Sequence, residues 1–433
     1  MLVIGFVVIA AIFVFIFYTK KDPAPICGVY KQKGKWYPLK YIVFHAILYL
    51  RKFQNSRRKK TSKKQQPGYG VQSHSSISEM DVAQPLSSDM KAFDAVFFIA
   101  ANKEGYYFIA GTERRQYGII NGLCYLIVCK FICLIINFVC IVPGKGLMCN
   151  IKIPDTILFG AEDDEFGAEG LSLKPLSAMK KWKISYKGKM RLQSDPTQVF
   201  DVNIEADWFS DLPFFNYDTD LHPSTVARAI AKETWTQEYF NSLKEAHQTH
   251  YEQMGVLTAN IQINADIFSV KMPSFRDHSY GNRRDWDLMH RYAFFMMFLE
   301  DGTKATVGVI CQPCTCSRLE AGYVYTPSGK VYPLEWCDFE LHRHGENGTP
   351  PIDHSFNFKA GPSTYHVQVN VEYQSVHYVG WKWEARMVER FVKYIVNGIP
   401  GQGVSEFHYH NNTGRPSSIS EKDPDWFKKL SLR

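Results

Sequence analysis

Runs in which apolar and polar residues alternate fill most of the chain after Lys180, and they constrain the fold more than any other feature. Successive side chains of a strand point to opposite faces of a sheet, so this alternation predicts half-buried strands. Turn sequences such as "DGT" and "PSG" separate several runs and predict hairpins. We therefore predict a mainly β fold, a sandwich or a barrel, with length for two such units.

Two further segments before and within this region carry clear local signals. "AVFFIAANKEGYYFIAGTERR" predicts a β-hairpin, and Pro223 to His250 predicts one helix with proline in its first turn. The chain shows no βαβ alternation, no GxGxxG after a strand and no phosphate loop. These absences argue against the common nucleotide-binding α/β classes.

The start of the chain is apolar from Leu2 to Tyr18 without one charge, so residues 1–20 are predicted to form a transmembrane anchor. Lysine and arginine crowd the following stretch, which places the bulk of the chain on the cytoplasmic side of a membrane. The same charges favour an anionic lipid surface over nucleic acid as a partner. Sugars attached at Asn347 or Asn411 would reverse that orientation.

Residues 21–93 are predicted to be a basic juxtamembrane helix followed by a flexible linker. The helix covers Tyr37 to Phe53, and two placements are open: on the membrane interface or packed against the folded part. Asn55 to Met90 is polar, basic and rich in Ser, Gln and Pro, which is typical of a linker.

A second apolar run, Leu123 to Val142, has the length of a membrane-spanning helix. Strand-like sequence lies on both sides of it, so a span would divide one domain across a bilayer. A single buried strand is too short to use the whole run.

The segment "SFRDHSYGNRRDW", Ser274 to Trp286, combines three arginines with two aspartates and a histidine around one glycine. One interpretation is a buried polar plug that closes a barrel end, with Trp286 over it. The other is the floor of a site in which Asp277 and His278 act as acid or base.

Metal-site spacing is incomplete in this chain. Cys311, Cys314 and Cys316 lack a second pair of ligands, and His247 and His250 lack a third ligand beyond Glu252. Small buried thiols and histidines at a helix end explain these residues, so we predict no metal and no cofactor. "WKWEARMVERF", which contains Glu384, fits either a helix or a strand.

Several motifs in fixed order resemble the N-terminal, non-catalytic region of metazoan phosphoenolpyruvate synthase-like proteins. They include "FNYDTDL", "HQTHYEQMG", "RDHSYGNRRDWDLMHRY", "HGENGTPP" and "WEARMVERFVKYIVNG", between Asp94 and the end of the chain. The "RDHSYG…RDW" element also resembles a wider two-domain, lipocalin-like superfamily that includes carotenoid 1,2-hydratases. The relatives continue into ATP-grasp and phosphohistidine domains, which this sequence lacks, so phosphotransfer is not expected.

The resemblance implies two consecutive lipocalin-like (calycin-type) β-barrel domains, with a site near their junction. We place them at 94–255 and 256–433. Against the relatives, residues 127–140 are an apolar insert, which we interpret as a retained intron or a gene-model error and not as a span. Spliced transcripts across Leu126 to Pro143 would test this.

The predicted function is binding of an apolar, lipid-like or isoprenoid-like ligand by a membrane-anchored, lipocalin-like protein. One alternative is a hydratase or cyclase in which Asp277 or His278 protonates a double bond and Trp286 stabilises the cation. Another is a structural or docking module for a phosphoenolpyruvate synthase-like phosphotransferase, which predicts a filled barrel interior and so no sizeable cavity. The predicted ligand-binding residues are Arg276, Trp286, Arg284, Asp285, Tyr292, His250 and Glu384.

Overall fold

The computed structural model describes residues 15, 18–19, 21–57, 68–70, 76–128, 131–135, 138–142 and 146–431. The predicted anchor at 1–20 lies almost wholly outside this part of the chain. Among the described residues, no helix combines the length and the apolar character that crossing a bilayer requires.

The fold is mainly β, as predicted, and its helices are few. The described helices are α1 (Tyr37–Arg57), α2 (Ile77–Met80), α3 (Pro223–Lys232), α4 (Gln237–Glu245), α5 (Ser417–Ser420) and α6 (Asp425–Ser431).

The part of the chain that the structure describes contains fourteen strands before residue 282, and twelve of them form one antiparallel sheet. They are β1 (Phe93–Ala101), β2 (Tyr107–Arg114), β3 (Ile120–Val128), β4 (Phe131–Ile135), β5 (Phe138–Val142), β6 (Gly146–Asn150), β7 (Ile157–Leu158), β8 (Phe166–Ala168), β9 (Leu171–Ser177), β10 (Lys181–Leu192), β11 (Val199–Phe209), β12 (Phe215–Asn216), β13 (Thr249–Ile263) and β14 (Asp266–Gly281). The main path runs β11-β13-β14-β1-β2-β3-β6-β10, and β10 also pairs with β11, which joins the ends of the path. The predicted hairpin is confirmed, because β1 pairs with β2 from Asp94 opposite Arg114 to Ala101 opposite Tyr107.

Eight later strands form a closed barrel in sequence order. They are β15 (Arg291–Leu299), β16 (Lys304–Gln312), β17 (Cys316–Tyr325), β18 (Val331–Cys337), β19 (Asp353–Ala360), β20 (Ser363–Val379), β21 (Ala385–Val396) and β22 (Ile399–His410). Its interior is filled by apolar side chains that include Phe295, Phe356 and Phe407. "WKWEARMVERF" therefore ends in a strand, β21, which settles the choice that the sequence left open.

The change from the first sheet to the barrel comes at residues 282–290, later than the boundary expected after residue 255. β13 and β14 pair with each other over their full length, and β14 also pairs with β1. These long-range pairings bind both strands to the first sheet, and no local pattern in the sequence reports such pairings.

The apolar run Leu123 to Val142 forms strands. β3 uses its first part, and β4 and β5 pair with each other as a separate two-stranded sheet. The insert was expected at 127–140, but Ile127 and Val128 belong to β3, where they lie opposite Leu147 and Gly146 of β6. The interpretation of this insert as a retained intron or a gene-model error stays a prediction.

Replacing residues 129–145 with a two-residue turn should leave the fold intact. Val128 and Gly146 already lie opposite each other, so an Asn-Gly turn would join β3 to β6 directly. We expect the melting temperature, followed by circular dichroism, to change by less than about 3 °C. A fall of about 10 °C or more would mean that the hairpin stabilises the sheet.

Helix α1 packs on the folded part, with Phe44 and Leu48 buried in the core that it shares with α3. Of the two placements open from the sequence, the packed one is thus present. The linker prediction for Asn55 to Met90 is wrong over its last part, because Met80 and Asp81 are buried. Asp81 forms a salt bridge with the buried Arg276, and the polar composition of residues 55–90 does not reveal such a distant partner.

The helix expected over Pro223 to His250 is two helices and a strand. It begins at Pro223 as predicted, but α3 ends where Glu233 adopts an extended backbone. The side chain of Thr236 then caps α4 by accepting a hydrogen bond from the amide of Tyr239. His250 lies in β13, so it is not a helix-end histidine as predicted.

Candidate functional site

A cavity of about 480 Å³ lies between the first sheet and the barrel. Its wall is largely apolar and is built from side chains that point outward from both units. The apolar wall includes Phe97, Leu123, Phe275, Phe294, Met296, Ile310 and Leu319. A volume of this size suits a small organic ligand. The structural alternative predicts a filled barrel interior, which the β15–β22 barrel has, and no sizeable cavity, which this space between the two units contradicts.

The first part of the charged segment, Ser274 to Gly281, forms the end of strand β14. Its side chains lie in two different environments. Because side chains alternate along a strand, Asp277 and Ser279 line the cavity while Arg276 and His278 point into the first sheet. Alternate residues of this segment thus lie in a buried polar network and on the cavity wall. Trp286 lines the cavity and does not cover the network, which differs from the plug interpretation.

Arg276 lies in a buried network inside the first sheet. Its Nη1 donates to Asp81 Oδ1 at 2.7 Å, and its guanidinium lies 4.9 Å from the ring centre of Trp208. Burial is the largest single influence and would raise the pKa of Asp81. The charge of Arg276 and the hydrogen bonds from His278 and the Met179 amide together outweigh it and hold that pKa well below its usual range. Asp81 and Arg276 therefore form a buried ion pair.

His278 completes the same network and has no access to the cavity. Its Nε2 bonds Asp94 Oδ1 at 2.7 Å, and its Nδ1 bonds the hydroxyl of Tyr251 at 2.7 Å. Burial opposes charge on the ring, but the Asp94 carboxylate and the hydrogen bonds that the ring donates to Asp81 and Asp94 raise the pKa of His278. His278 is therefore part of the buried network and does not face the cavity.

Asp277 is the titratable group that β14 presents to the cavity. Burial is the main cause that raises its pKa from 3.8 to about 6; nearby His250 opposes the shift, and Glu252 and Glu406 add to it. Glu252 lies directly opposite Asp277 on β13. The Asp277 carboxyl group can therefore gain and lose a proton near neutral pH.

A second acidic group lies on the barrel side of the cavity. Glu389 of β21 and Glu406 of β22 are directly opposite each other, and both line the cavity. Glu389 is fully buried, and burial followed by the negative charge of Glu406 raises its pKa well above the usual range. A protonated Glu389 can donate to Glu406, which also accepts a hydrogen bond from the Tyr292 hydroxyl.

Aromatic rings cover one part of the cavity. The His408 ring stacks between Trp286 at 5.4 Å and Tyr292 at 5.0 Å, and burial lowers the pKa of His408 so that it stays neutral. The guanidinium of Arg284 lies 5.4 Å from the ring centre of Trp286 and donates to Ser279 Oγ at 2.8 Å. Arg284 thus connects the end of β14 to the tryptophan.

The predicted site residues lie in three places: the cavity wall, the buried network and the turn before β21. Those that line the cavity are Asp277, Arg284, Asp285, Trp286, Tyr292 and His250. Arg276 and His278 are in the buried network, and the Oε2 of Glu384 accepts a hydrogen bond from the backbone of Lys382 in the turn between β20 and β21. The residues on the cavity wall are placed where a ligand could contact them, and this contact stays a prediction.

Sequence reasoning missed Glu252, Glu389 and Glu406 as cavity residues. Glu389 lies between Met387 and Phe391 on one face of β21, and this is a signal that the sequence could have supplied had the strand been recognised. Glu252 and Glu406 share their strand faces with histidines, so no such apolar pattern marks them. Within the described ranges, no cluster of three or more His, Cys, Asp or Glu side chains is arranged to hold a metal ion.

The raised pKa of Asp277 predicts a change of stability with pH. The folded chain binds the proton more tightly than the unfolded chain, so this contribution is complete below about pH 4 and is lost as pH rises through about 6. Asp277→Asn should be more stable than the wild type above pH 6, by up to about 3 kcal/mol. Thermal melts from pH 4 to 8 would measure the difference, with exposed Asp287→Asn as the control. Parallel curves for Asp277→Asn and wild type would contradict the prediction.

Comparison with solved structures gives weak likenesses. An AttH protein of Nitrosomonas europaea has a TM-score of 0.47 at 9% identity, over 76% of this chain and 98% of its own. Kievitone hydratase of Nectria haematococca scores 0.42 at 8% identity, over 76% and 94%. CghA in complex with Sch210972 scores 0.41 at 10% identity, over 77% and 97%. Scores below 0.5 assign neither a fold nor an activity to this chain.

No curated protein matches the chain. The matches above name no phosphoenolpyruvate synthase-like protein, so that resemblance stays a prediction. A family model, by contrast, matches residues 5–409, which include both β units and the whole wall of the cavity. The chain belongs to this family, which is described as a family of unknown function, DUF8627.

Proposed function

We propose that the protein is an acid–base enzyme of the hydratase or cyclase kind, acting on a double bond of an apolar, isoprenoid-like molecule held in the cavity. The placement of Asp277 carries this proposal. Its carboxyl group lies on the wall of a largely apolar cavity that is large enough for a small organic molecule. A carboxylic acid in such surroundings can transfer a proton without competition from bulk water.

The reaction would begin when the Asp277 carboxylic acid protonates one carbon of the double bond. The π electrons form the new C–H bond, which leaves a cation on the substrate and a carboxylate on Asp277. The face of Trp286 and the carboxylates of Glu252 and Glu406 favour a positive charge in the cavity. Water then attacks the cation and loses its extra proton to the Asp277 carboxylate, which gives an alcohol. In the cyclisation, a second double bond of the substrate attacks instead and leaves a new cation, and a carbon next to that cation loses a proton to the Asp277 carboxylate as a double bond forms.

His278 is excluded as the alternative proton donor, because it is fully buried on the opposite side of β14. The sequence left Asp277 and His278 equivalent, and strand alternation separates them. Positions 277 and 278 of one strand cannot both face the same cavity.

Solvent isotope incorporation would test the proposal. A mixture of isoprenoid alcohols and polyenes would be incubated with the protein in D₂O, and products would be analysed by mass spectrometry. We expect carbon-bound deuterium with the wild type and none above background with Asp277→Asn. Tight binding without deuterium would leave a lipid-binding protein, the second candidate, which the apolar wall by itself supports. Neither binding nor deuterium would contradict both functions.

Other predictions from the sequence stay proposals. We propose that residues 1–20 attach the chain to a membrane by a single pass, with the bulk of the chain on the cytoplasmic side. The two β units are proposed to be lipocalin-like domains. A phosphotransferase partner is retained as a proposal from the resemblance alone.

A further inference from the structure

Helix α1 has one face fixed on the protein. Phe44 and Leu48 are buried beside α3, and Lys40 Nζ donates to the backbone oxygen of Glu233 at 2.6 Å. Arg51 Nη1 donates to the backbone oxygen of Tyr69 at 2.6 Å. These contacts determine which side of the helix faces away from the protein.

The side that faces away is apolar. Leu39 is 54% exposed, Ile42 63% and Leu50 61%. Val43 and Tyr49 are exposed on the same side, since their spacing from these residues follows the helical repeat. Single exposed apolar residues are ordinary, but a continuous stripe on a helix marks a surface that contacts another phase or molecule.

The charge of the sequence around this helix selects the partner of the stripe. Residues 20–64 contain fourteen lysines and arginines and one acidic residue, Asp22, and three of the fourteen, Lys31, Lys40 and Arg51, bond to groups of the folded part. The apolar segment from Leu2 to Tyr18 lies directly before them in the chain. An apolar stripe within a strongly basic region complements a bilayer that carries anionic lipids, where apolar side chains enter the acyl boundary and basic side chains meet the headgroups.

We infer that α1 lies in the plane of an anionic membrane surface, with the stripe Leu39, Ile42, Val43, Tyr49 and Leu50 inserted at the interface. The buried side of the same helix holds the β units against the membrane. The packed placement and the interfacial placement, which were alternatives in the sequence, are then two sides of one helix.

This placement suggests where the substrate comes from, a point that rests on the proposed function. Tyr69, which accepts the hydrogen bond from Arg51 of α1, lines the cavity together with Leu243. The helix is therefore one residue layer from the cavity. An apolar substrate dissolved in the bilayer is the class that such an arrangement can receive.

Photo-crosslinking in the full chain would test the membrane contact. Benzoylphenylalanine would replace Ile42 in one variant and Ile267 in a control, since Ile267 is also an exposed isoleucine, at 73%, but lies on β14. Both chains would be reconstituted into vesicles of phosphatidylcholine and phosphatidylserine and irradiated. We expect roughly tenfold more lipid adduct at position 42 than at position 267, and less adduct at 42 in phosphatidylcholine alone.

Other products would overturn the inference. Crosslinks from position 42 to residues 1–20 would mean that this segment covers the stripe within the chain. Crosslinks between two chains would identify a second copy as the occupant, and equal lipid adduct at both positions would remove any preference. The experiment measures no turnover, so its failure is distinguishable from failure of the deuterium test.

Discussion

Asp277→Asn should lower turnover by about 10²- to 10⁴-fold while the affinity for the ligand changes little. The amide has the size of the carboxyl group but cannot deliver its proton. Since the pKa of Asp277 is raised to about 6 and the acid form begins the reaction, wild-type kcat/KM should fall as pH rises above about 6. Deuterium incorporation and equilibrium binding would be measured on the same preparations.

Asp287→Asn is the matched control, because Asp287 lies just after the segment that contains Asp277 and its side chain is 55% exposed. It should keep wild-type turnover. Glu389→Gln provides a second comparison of turnover. It removes the acidic proton that Glu389 and Glu406 can share and leaves Asp277 in place. Equal turnover in Asp277→Asn and the wild type would refute the assignment of Asp277 as the acid.

Arg276→Met should cost about 3–5 kcal/mol of folding free energy, the largest loss of stability that we predict. It leaves the Asp81 carboxylate buried without its ion-pair partner, and Asp81 has no exposed surface. The low pKa of Asp81 also requires that its contribution be present above the unfolded pKa of about 4 and be lost as pH falls below it. Chemical denaturation at neutral pH would measure the difference.

Arg283→Met is the control for this loss, because the Arg283 side chain is 50% exposed and pairs with Asp285 at 2.9 Å. An exposed pair of this kind contributes about 1 kcal/mol or less. The double variant Asp81→Asn/Arg276→Met should recover part of the loss, since it removes both charges. A similar small loss for Arg276→Met and Arg283→Met would show that the buried pair does not stabilise the fold.

Local pattern was sufficient for the parts of the fold that are local. The β1–β2 hairpin, the start of α3 at Pro223 and the mainly β class all follow from residue spacing and turn chemistry. The same reasoning did not predict that Ser274 to Gly281 is part of a strand, because five of its residues are polar or charged. A strand tolerates them here because Asp81, which is nearly two hundred residues earlier, neutralises Arg276.

The candidate site also follows partly from the sequence and partly from the tertiary structure. The segment Ser274 to Trp286 was identifiable from the sequence, since so many arginines and carboxylates in one stretch require partners. The orientation of β14 within the sheet decided which of Asp277 and His278 faces the cavity. Glu389 and Glu406 became one acidic pair only through the register of β21 on β22.

The sequence by itself therefore determined the mainly β class, the β1–β2 hairpin and the segment that contains Asp277, because alternation and turn residues act over a few neighbours. Only the tertiary structure decided that one face of β14 is a buried ion-pair network and the other a cavity wall. Strand pairing and burial join residues that are far apart in the chain, and these contacts decide which carboxyl groups keep a proton.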